Sequence, residues 1–289
     1  MAGAEKLALG SAQFGLAYGV SNTRGRTPDA EVAAILERAL AAGVGVIDTA
    51  SAYGEAEATL GAVLPSPCPF RVVTKTARLT SVVAVEHAAH LSLSTLWLPT
   101  AYGLLVHSAG DLAGPDGHAL WALLERLRGE GLFERIGFSA YASDDPVALA
   151  RRYRPDIVQL PVSLLDQRLI QDGTLAALAD LGVEVHLRSI FLQGLLFLPL
   201  ERLPWPLVGS GARLQAVRRR LAEAGVDPLA AAVRFALDVP EAAQVVVGVT
   251  SLADFDEVLA AAAAPTPDLD WTAMALDDPV ALDPRRWAA

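Results

Sequence analysis

Eight short apolar runs, separated by longer stretches in which apolar residues recur at helical spacing, set the tightest limit on how this chain can fold. The runs are KLALG (6–10), VGVID (44–48), FRVVTK (70–75), YGLLVH (102–107), RIGFS (135–139), DIVQL (156–160), VEVHLRS (183–189) and AQVVVG (243–248). Each has the length of a buried strand. The helical patterns fall at 28–42, 54–63, 82–96, 118–130, 146–152, 174–181, 214–224, 228–237 and 252–262. The first is introduced by Thr-Pro-Asp-Ala-Glu, which predicts an N-cap at Thr27, proline at the first helical position and acids in the first turn. Strands alternating with helices give an α/β protein with a parallel sheet, and eight of them favour a closed (β/α)8 TIM barrel over an open sheet. A chain of 289 residues fits one such barrel. No low-complexity linker divides it, so 1–289 is expected to form a single domain. The segment 265–289, with Trp271 and Trp287, has no place in the repeat and is expected to cover one face.

The composition narrows the partners. A formal charge of −10 and a pI near 5.0 oppose binding to nucleic acid or an anionic membrane, which calls for clustered Lys and Arg. The one dense basic run, Arg218-Arg219-Arg220, reads as a solvated helix face. With 53% hydrophobic and 19% charged residues the chain is expected to be compact rather than disordered. Cys68 is the single cysteine, so no intrachain disulfide can form and no oxidising compartment is required. The opening MAGAEKLALG lacks the basic and apolar regions of a signal peptide, and the uncharged runs 7–23 and 91–106 are broken by polar residues, glycine or proline. A cytoplasmic protein without a membrane partner is expected.

A barrel builds its active site at the carboxyl ends of its strands. Those ends carry Asp48, Lys75, His107, Ser139, Gln159, Arg188 with Ser189, and Gly248, and Tyr53 follows one loop beyond Asp48 in DTASAYGEAEATLG. Singly each has a plain explanation: Asp48 as a helix cap, Tyr53 as a packing aromatic, Lys75 as a rim lysine, His107 as a satisfied histidine. Asp48 and Lys75 are 27 residues apart and Lys75 and His107 are 32 apart, each about one β-α unit, so three successive strands deliver these groups to one rim. A tyrosine phenol ionises near pH ~10, too high for efficient acid–base work at neutrality. An ammonium beside it favours the phenolate, an aspartate holds that ammonium charged, and a neutral histidine donates a hydrogen bond to a carbonyl oxygen. Such a set delivers a proton to a developing alkoxide. No side chain donates hydride, so a nicotinamide cofactor is implied.

DTASAYGEAEATLG, VVTK, LLVH, IGFS and VHLRSIFLQGLL, in this order along nearly the whole chain, resemble the aldo-keto reductase superfamily, and the opening GSAQFGLAYGVSN resembles a bacterial branch of it. The resemblance implies a (β/α)8 barrel, an extended NADP or NAD across the rim, and an Asp48, Tyr53, Lys75, His107 tetrad that reduces a small-molecule carbonyl. It also assigns cofactor contacts. Ser11 follows strand one; Ser139 and Gln159 match the residues that hold the carboxamide; Arg188 stands where many members stack an aromatic ring on the nicotinamide. Ser189, Ile190, Phe191, Leu192, Gln193 and Gly194 correspond to the loop over the pyrophosphate. Gly248, Val249, Thr250 and Ser251 are expected to offer backbone N–H groups to phosphate at the start of the last helix. Glu257 matches the acid that contacts adenine, while Ala140 and Val258 replace the usual asparagines. Asp254 stands where relatives carry a basic residue for a 2′-phosphate, so NADH is expected to bind at least as well as NADPH, unless Asp254 merely caps the helix and Arg213 or another basic side chain makes that contact. Gln13, Phe14 and Tyr18 after strand one, and Phe191 and Trp205 after strand seven, are expected to wall the substrate pocket. His87, His90, His118 and His186 receive no role.

Two other functions fit a barrel of this kind. A nucleotide-binding regulatory subunit keeps the cofactor site with little turnover, and the intact tetrad argues against it. A metal-dependent isomerase needs several carboxylates or histidines at the rim, where the strand ends offer one Asp and one His.

Overall fold

The computed structural model describes residues 3–287. Eight parallel strands, β1 (Leu7–Gly10), β2 (Val46–Asp48), β3 (Arg71–Lys75), β4 (Ala101–Val106), β5 (Phe133–Ser139), β6 (Ile157–Pro161), β7 (Glu184–Arg188) and β8 (Ala242–Gly248), pair in sequence order. The barrel closes where Gly10 of β1 meets Gly248 of β8. The (β/α)8 TIM barrel expected from the strand and helix periodicity is the fold.

Alternation along the strands separates two cores, since successive side chains point to opposite sheet faces. Ala8, Val46, Val73, Leu105, Ile157 and Val246 fill the barrel interior. Leu7, Leu9, Ile47, Val72, Leu104 and Val106 face outward into the layer of helices. At the floor of the barrel Tyr102 donates to Glu184 at 2.7 Å, and the buried His186 pairs with the same carboxylate at 2.8 Å.

The helices expected from the sequence are present with ends shifted by a few residues, and short ones are added at Ala12–Gly15, Ala109–Ala113 and Arg168–Gln171. The first long helix is Asp29–Ala42, with Pro28 rather than Thr27 at its N-cap. Thr27 is buried, and its hydroxyl turns toward the Thr250 carbonyl at 3.5 Å instead of capping. Tertiary packing thus overrides the local capping preference. Between β7 and β8 the chain inserts 3-10 turns at Leu192–Gly194, Leu200–Arg202 and Trp205–Ser210 before two helices, Gly211–Glu223 and Pro228–Leu237.

The segment after the last helix lies against the loops that follow β5 and β6. Leu276 N–H donates to the Leu165 carbonyl at 2.9 Å, Gln167 donates to the Trp271 carbonyl at 2.6 Å, and Arg168 donates to the Leu282 carbonyl at 3.2 Å. Ala288 and Ala289, the end of the segment expected to cover a face, lie outside the described residues.

Candidate active site

Closure of a parallel barrel brings all eight strand ends to one rim, and a cavity of about 640 Å³ opens there. Asp48, Tyr53, Lys75 and His107 line it together. The Lys75 ammonium donates to both Asp48 oxygens, at 2.8 and 2.7 Å, to the Thr49 carbonyl at 2.9 Å, and to the Tyr53 hydroxyl at 3.3 Å. Burial works against a charged lysine here, but Asp48 and then Tyr53 more than offset it and hold the Lys75 ammonium above its usual range. His107 stands edge-on to Tyr53, with ring centroids 5.7 Å apart at 84°. Burial, reinforced by the Lys75 charge, lowers His107 to about 4, so the imidazole is neutral at pH 7.

Close backbone packing between two loops places Tyr53. Gly15 packs against the turn 53–56, and Gly54, at φ 57°, packs in return on the Gly15 carbonyl. Glu57 anchors the following helix, Ala56–Val63, by accepting from the Thr74 hydroxyl at 2.6 Å, and burial pushes its carboxyl up.

Gln159 donates to Asp48 at 2.6 Å, which leaves its carbonyl oxygen buried on the cavity wall without a protein partner; Ser11 Oγ and Gln13 Oε1 share that condition. Ser139 accepts from Arg188 Nε at 3.2 Å. The Arg188 guanidinium lies on the Tyr141 ring, 4.4 Å from its centroid, and Arg285 from the C-terminal segment lies over the same ring at 3.7 Å.

Two loops meet across the cavity. Ser189, Leu192 and Gln193 hold positive φ without being glycine, and such strain collects where structure serves a site. From the loop after β1, Ser21 donates to the Gln193 carbonyl at 3.5 Å, and Gln193 donates to the Tyr18 hydroxyl at 3.3 Å. Burial pushes the Tyr18 phenol up.

At the far end stands the helix Leu252–Ala263, whose first donors are already used. Thr250 N–H and its hydroxyl donate to Asp254 at 3.0 and 2.6 Å, Leu252 N–H donates to Glu31 at 2.6 Å, and Asp254 N–H donates to Ser251 at 3.1 Å. The expected free N–H groups for a phosphate are therefore partly consumed by two carboxylates of the protein itself. Burial works to raise Asp254, but the Thr250 hydrogen bonds override it and hold the carboxyl below its ordinary value. Arg24, from the loop after β1, lines the cavity and its charge reaches Asp254.

Of the remaining positions named from the sequence, Ile190, Phe191, Gly194, Gly248, Val249 and Glu257 line the cavity. Four do not. Phe14 is fully buried in the outer core because the turn Ala12–Gly15 points it inward, and Leu192 is buried for the same reason in its own turn. Ser251 is a buried helix cap rather than a wall of the cavity. Trp205 is 82% exposed and is not among the residues that line the cavity. Arg213 donates to the Ala273 and Ala275 carbonyls and is absent from the cavity wall. Sequence reasoning passed over Tyr141, Arg24, Glu31 and the loop 19–24. The signals were an aromatic two residues past the β5 end and a long Gly-, Ser- and Asn-containing connection after β1, a length that is usually functional. Among the described residues no cluster of three or more His, Cys, Asp or Glu is placed to hold a metal, and no helix is long and apolar enough to cross a membrane.

The fold and rim define the class: a (β/α)8 barrel whose strand ends present an Asp–Lys pair, a tyrosine and a neutral histidine to one cavity. The profile of the Aldo/keto reductase family matches residues 6–275, and the chain belongs to that family. Among solved structures, aldo-keto reductase AKR11C1 from Bacillus halodurans, in its holo form, is similar over 90% of this chain and 87% of its own, with 21% identity and a TM-score of 0.73. The Pseudomonas aeruginosa protein PA4992, assigned as an aldo-keto reductase, is similar over 89% of each chain, with 21% identity and a TM-score of 0.66. At this identity the two structures speak to the fold. No curated protein matches the sequence. Membership carries the general chemistry of NAD(P)H-dependent carbonyl reduction on small molecules.

Proposed function

We propose that this chain reduces an aldehyde, ketone or sugar-like carbonyl to the alcohol, with NADH or NADPH as hydride donor and Tyr53 as proton donor. The observation that carries the reading is one buried ammonium, Lys75 Nζ, which contacts both Asp48 oxygens and the Tyr53 hydroxyl in the same cavity as neutral His107. Asp48 keeps Lys75 charged. Lys75 stabilises the phenolate that remains when Tyr53 gives its proton to the carbonyl oxygen, and His107 donates a hydrogen bond to that oxygen as negative charge develops.

The residues present suit a nicotinamide. Gln159 Oε1 and Ser11 Oγ are buried acceptors without a protein partner, and Ser139 stands beside Gln159 in register, so a carboxamide finds both donor and acceptor there. Residues 189–194 and 248–250 flank the path of the phosphates. When bound, the reduced nicotinamide supplies the hydride to the carbonyl carbon, which no side chain can do.

We place NADH at least level with NADPH. Asp254 and Glu31 hold the donors at the start of the last helix, so a 2′-phosphate arriving there meets like charge and spent N–H groups, with Arg24 the nearby cation in its favour. Gln13 and Tyr18 wall the substrate side, the segment 265–287 completes the single domain over the catalytic end, and the setting is cytoplasmic.

Fluorescence titration with NADH and NADPH, followed by hydride turnover on a broad carbonyl panel, tests this. Binding with turnover is expected. Binding with no turnover on any carbonyl favours a regulatory nucleotide-binding barrel, and no binding of either nucleotide overturns both.

A further inference from the structure

The charged groups on the cavity wall are not equally compensated. Asp48 and Lys75 neutralise one another, and Arg24 lies in the field of Asp254. Arg188 donates only to neutral acceptors: Nε to Ser139 Oγ, Nη1 to Ser189 Oγ and Nη2 to the Ala140 carbonyl, each at 3.2 Å. It forms no ion pair among the described residues. Arg285, which shares the Tyr141 ring, is by contrast paired with Asp283 at 2.8 Å. The Arg188 charge extends into the reacting part of the cavity, where, after burial and Lys75, it is a further influence lowering His107.

We propose that Arg188 selects the redox state of the cofactor, holding the uncharged dihydronicotinamide in preference to the oxidised, cationic ring. The inference rests on the nicotinamide reading given above. A carboxamide held by Ser139 and Gln159 brings its ring beside the guanidinium, because Arg188 donates directly to Ser139. Transfer of the hydride from the ring leaves it with one positive charge, next to a fixed guanidinium that has no counter-ion. Like charges at contact distance in a partly dehydrated cleft repel, and the penalty falls only on the oxidised form. The phosphates are common to both forms, so any general attraction of Arg188 for the dinucleotide cancels in the ratio of affinities. An aromatic side chain at this position has the opposite bias, because a ring face attracts a cation. In the direction of carbonyl reduction, Arg188 therefore promotes release of the spent cofactor.

Isothermal titration of wild type, Arg188→Met and Arg188→Lys with NADH, NAD⁺, NADPH and NADP⁺ tests this without turnover, with circular dichroism as the check on folding. The wild-type ratio Kd(oxidised)/Kd(reduced) is expected well above one. It should fall on the order of tenfold in Arg188→Met, the scale of a screened contact between two charges, and be largely kept in Arg188→Lys. An unchanged ratio in Arg188→Met, or an equal fall in Arg188→Lys, overturns the charge argument while leaving the nucleotide site intact. A wild-type ratio at or below one overturns it without any variant. Failure of wild type to bind any of the four nucleotides overturns the functional reading, and this inference with it.

Discussion

Gly15→Ala is a perturbation whose consequence can be worked from distances. A Cβ at residue 15 would lie 1.8 Å from the Tyr53 carbonyl oxygen, 2.3 Å from Ala56 N and 2.8 Å from Glu55 N. All three are backbone atoms of one turn, so no side chain can swing away. Ordinary contact begins near 3.4 Å, so the turn must retreat by roughly 1.5 Å or the loop after β1 must do so. Overpacking of this kind costs about 1–3 kcal/mol. That corresponds to a fall of several degrees in Tm for a domain of this size. The functional cost is larger, because the same turn carries the Tyr53 hydroxyl that stands 3.3 Å from Lys75. A misplacement of about 1 Å at a reacting group costs on the order of 10²-fold in rate. The assay is thermal unfolding beside kcat and kcat/KM on the best carbonyl of the panel, with Gly45→Ala as control because nothing lies within 4 Å of the Cβ it adds. Gly45→Ala should match wild type, while Gly15→Ala should lose stability and, at a temperature where it is folded, most of its kcat. Wild-type kcat in a folded Gly15→Ala protein would refute the claim that this contact positions Tyr53.

Tyr53→Phe should retain cofactor affinity and fold but lose about 10²-fold or more in kcat, since it removes a positioned proton donor; unchanged turnover would dismiss Tyr53 as the acid. Lys75→Met should also cut turnover, and because it leaves Asp48 buried at 4% exposure without its cation it should lower Tm more than Tyr53→Phe does. Asp254→Arg should shift the Kd ratio toward NADPH, and no shift would show that this carboxylate does not face the 2′ position. His107 is lowered to about 4 from 6.5, so between those values the unfolded chain binds a proton that the folded one refuses. Stability to urea should thus be full above pH 6.5 and decline toward pH 4, with a shallower decline in His107→Gln; parallel profiles for the two proteins would contradict the assignment.

The barrel, and the polar residues that share its rim, could be read from the chain alone. Strand and helix periodicity are local properties, and eight β-α repeats leave few closed arrangements, so polar residues at strand ends must share a rim. That is why Asp48, Lys75, His107, Ser139, Gln159 and Arg188, up to 140 positions apart, fall together from the strand pattern alone. Tertiary structure alone decided what irregular turns do. Phe14 and Leu192 faced the core, and Trp205 faced solvent, because orientation in a single turn follows from packing rather than from a repeating pattern. Glu31 and Leu252 N–H, 221 positions apart, met at the helix start only because β8 closes against β1. The same closure laid Arg24 near Asp254, and the C-terminal return laid Arg285 on Tyr141. Charge compensation in the cavity is a sum over side chains from distant segments, and no local reading of the chain contains that sum.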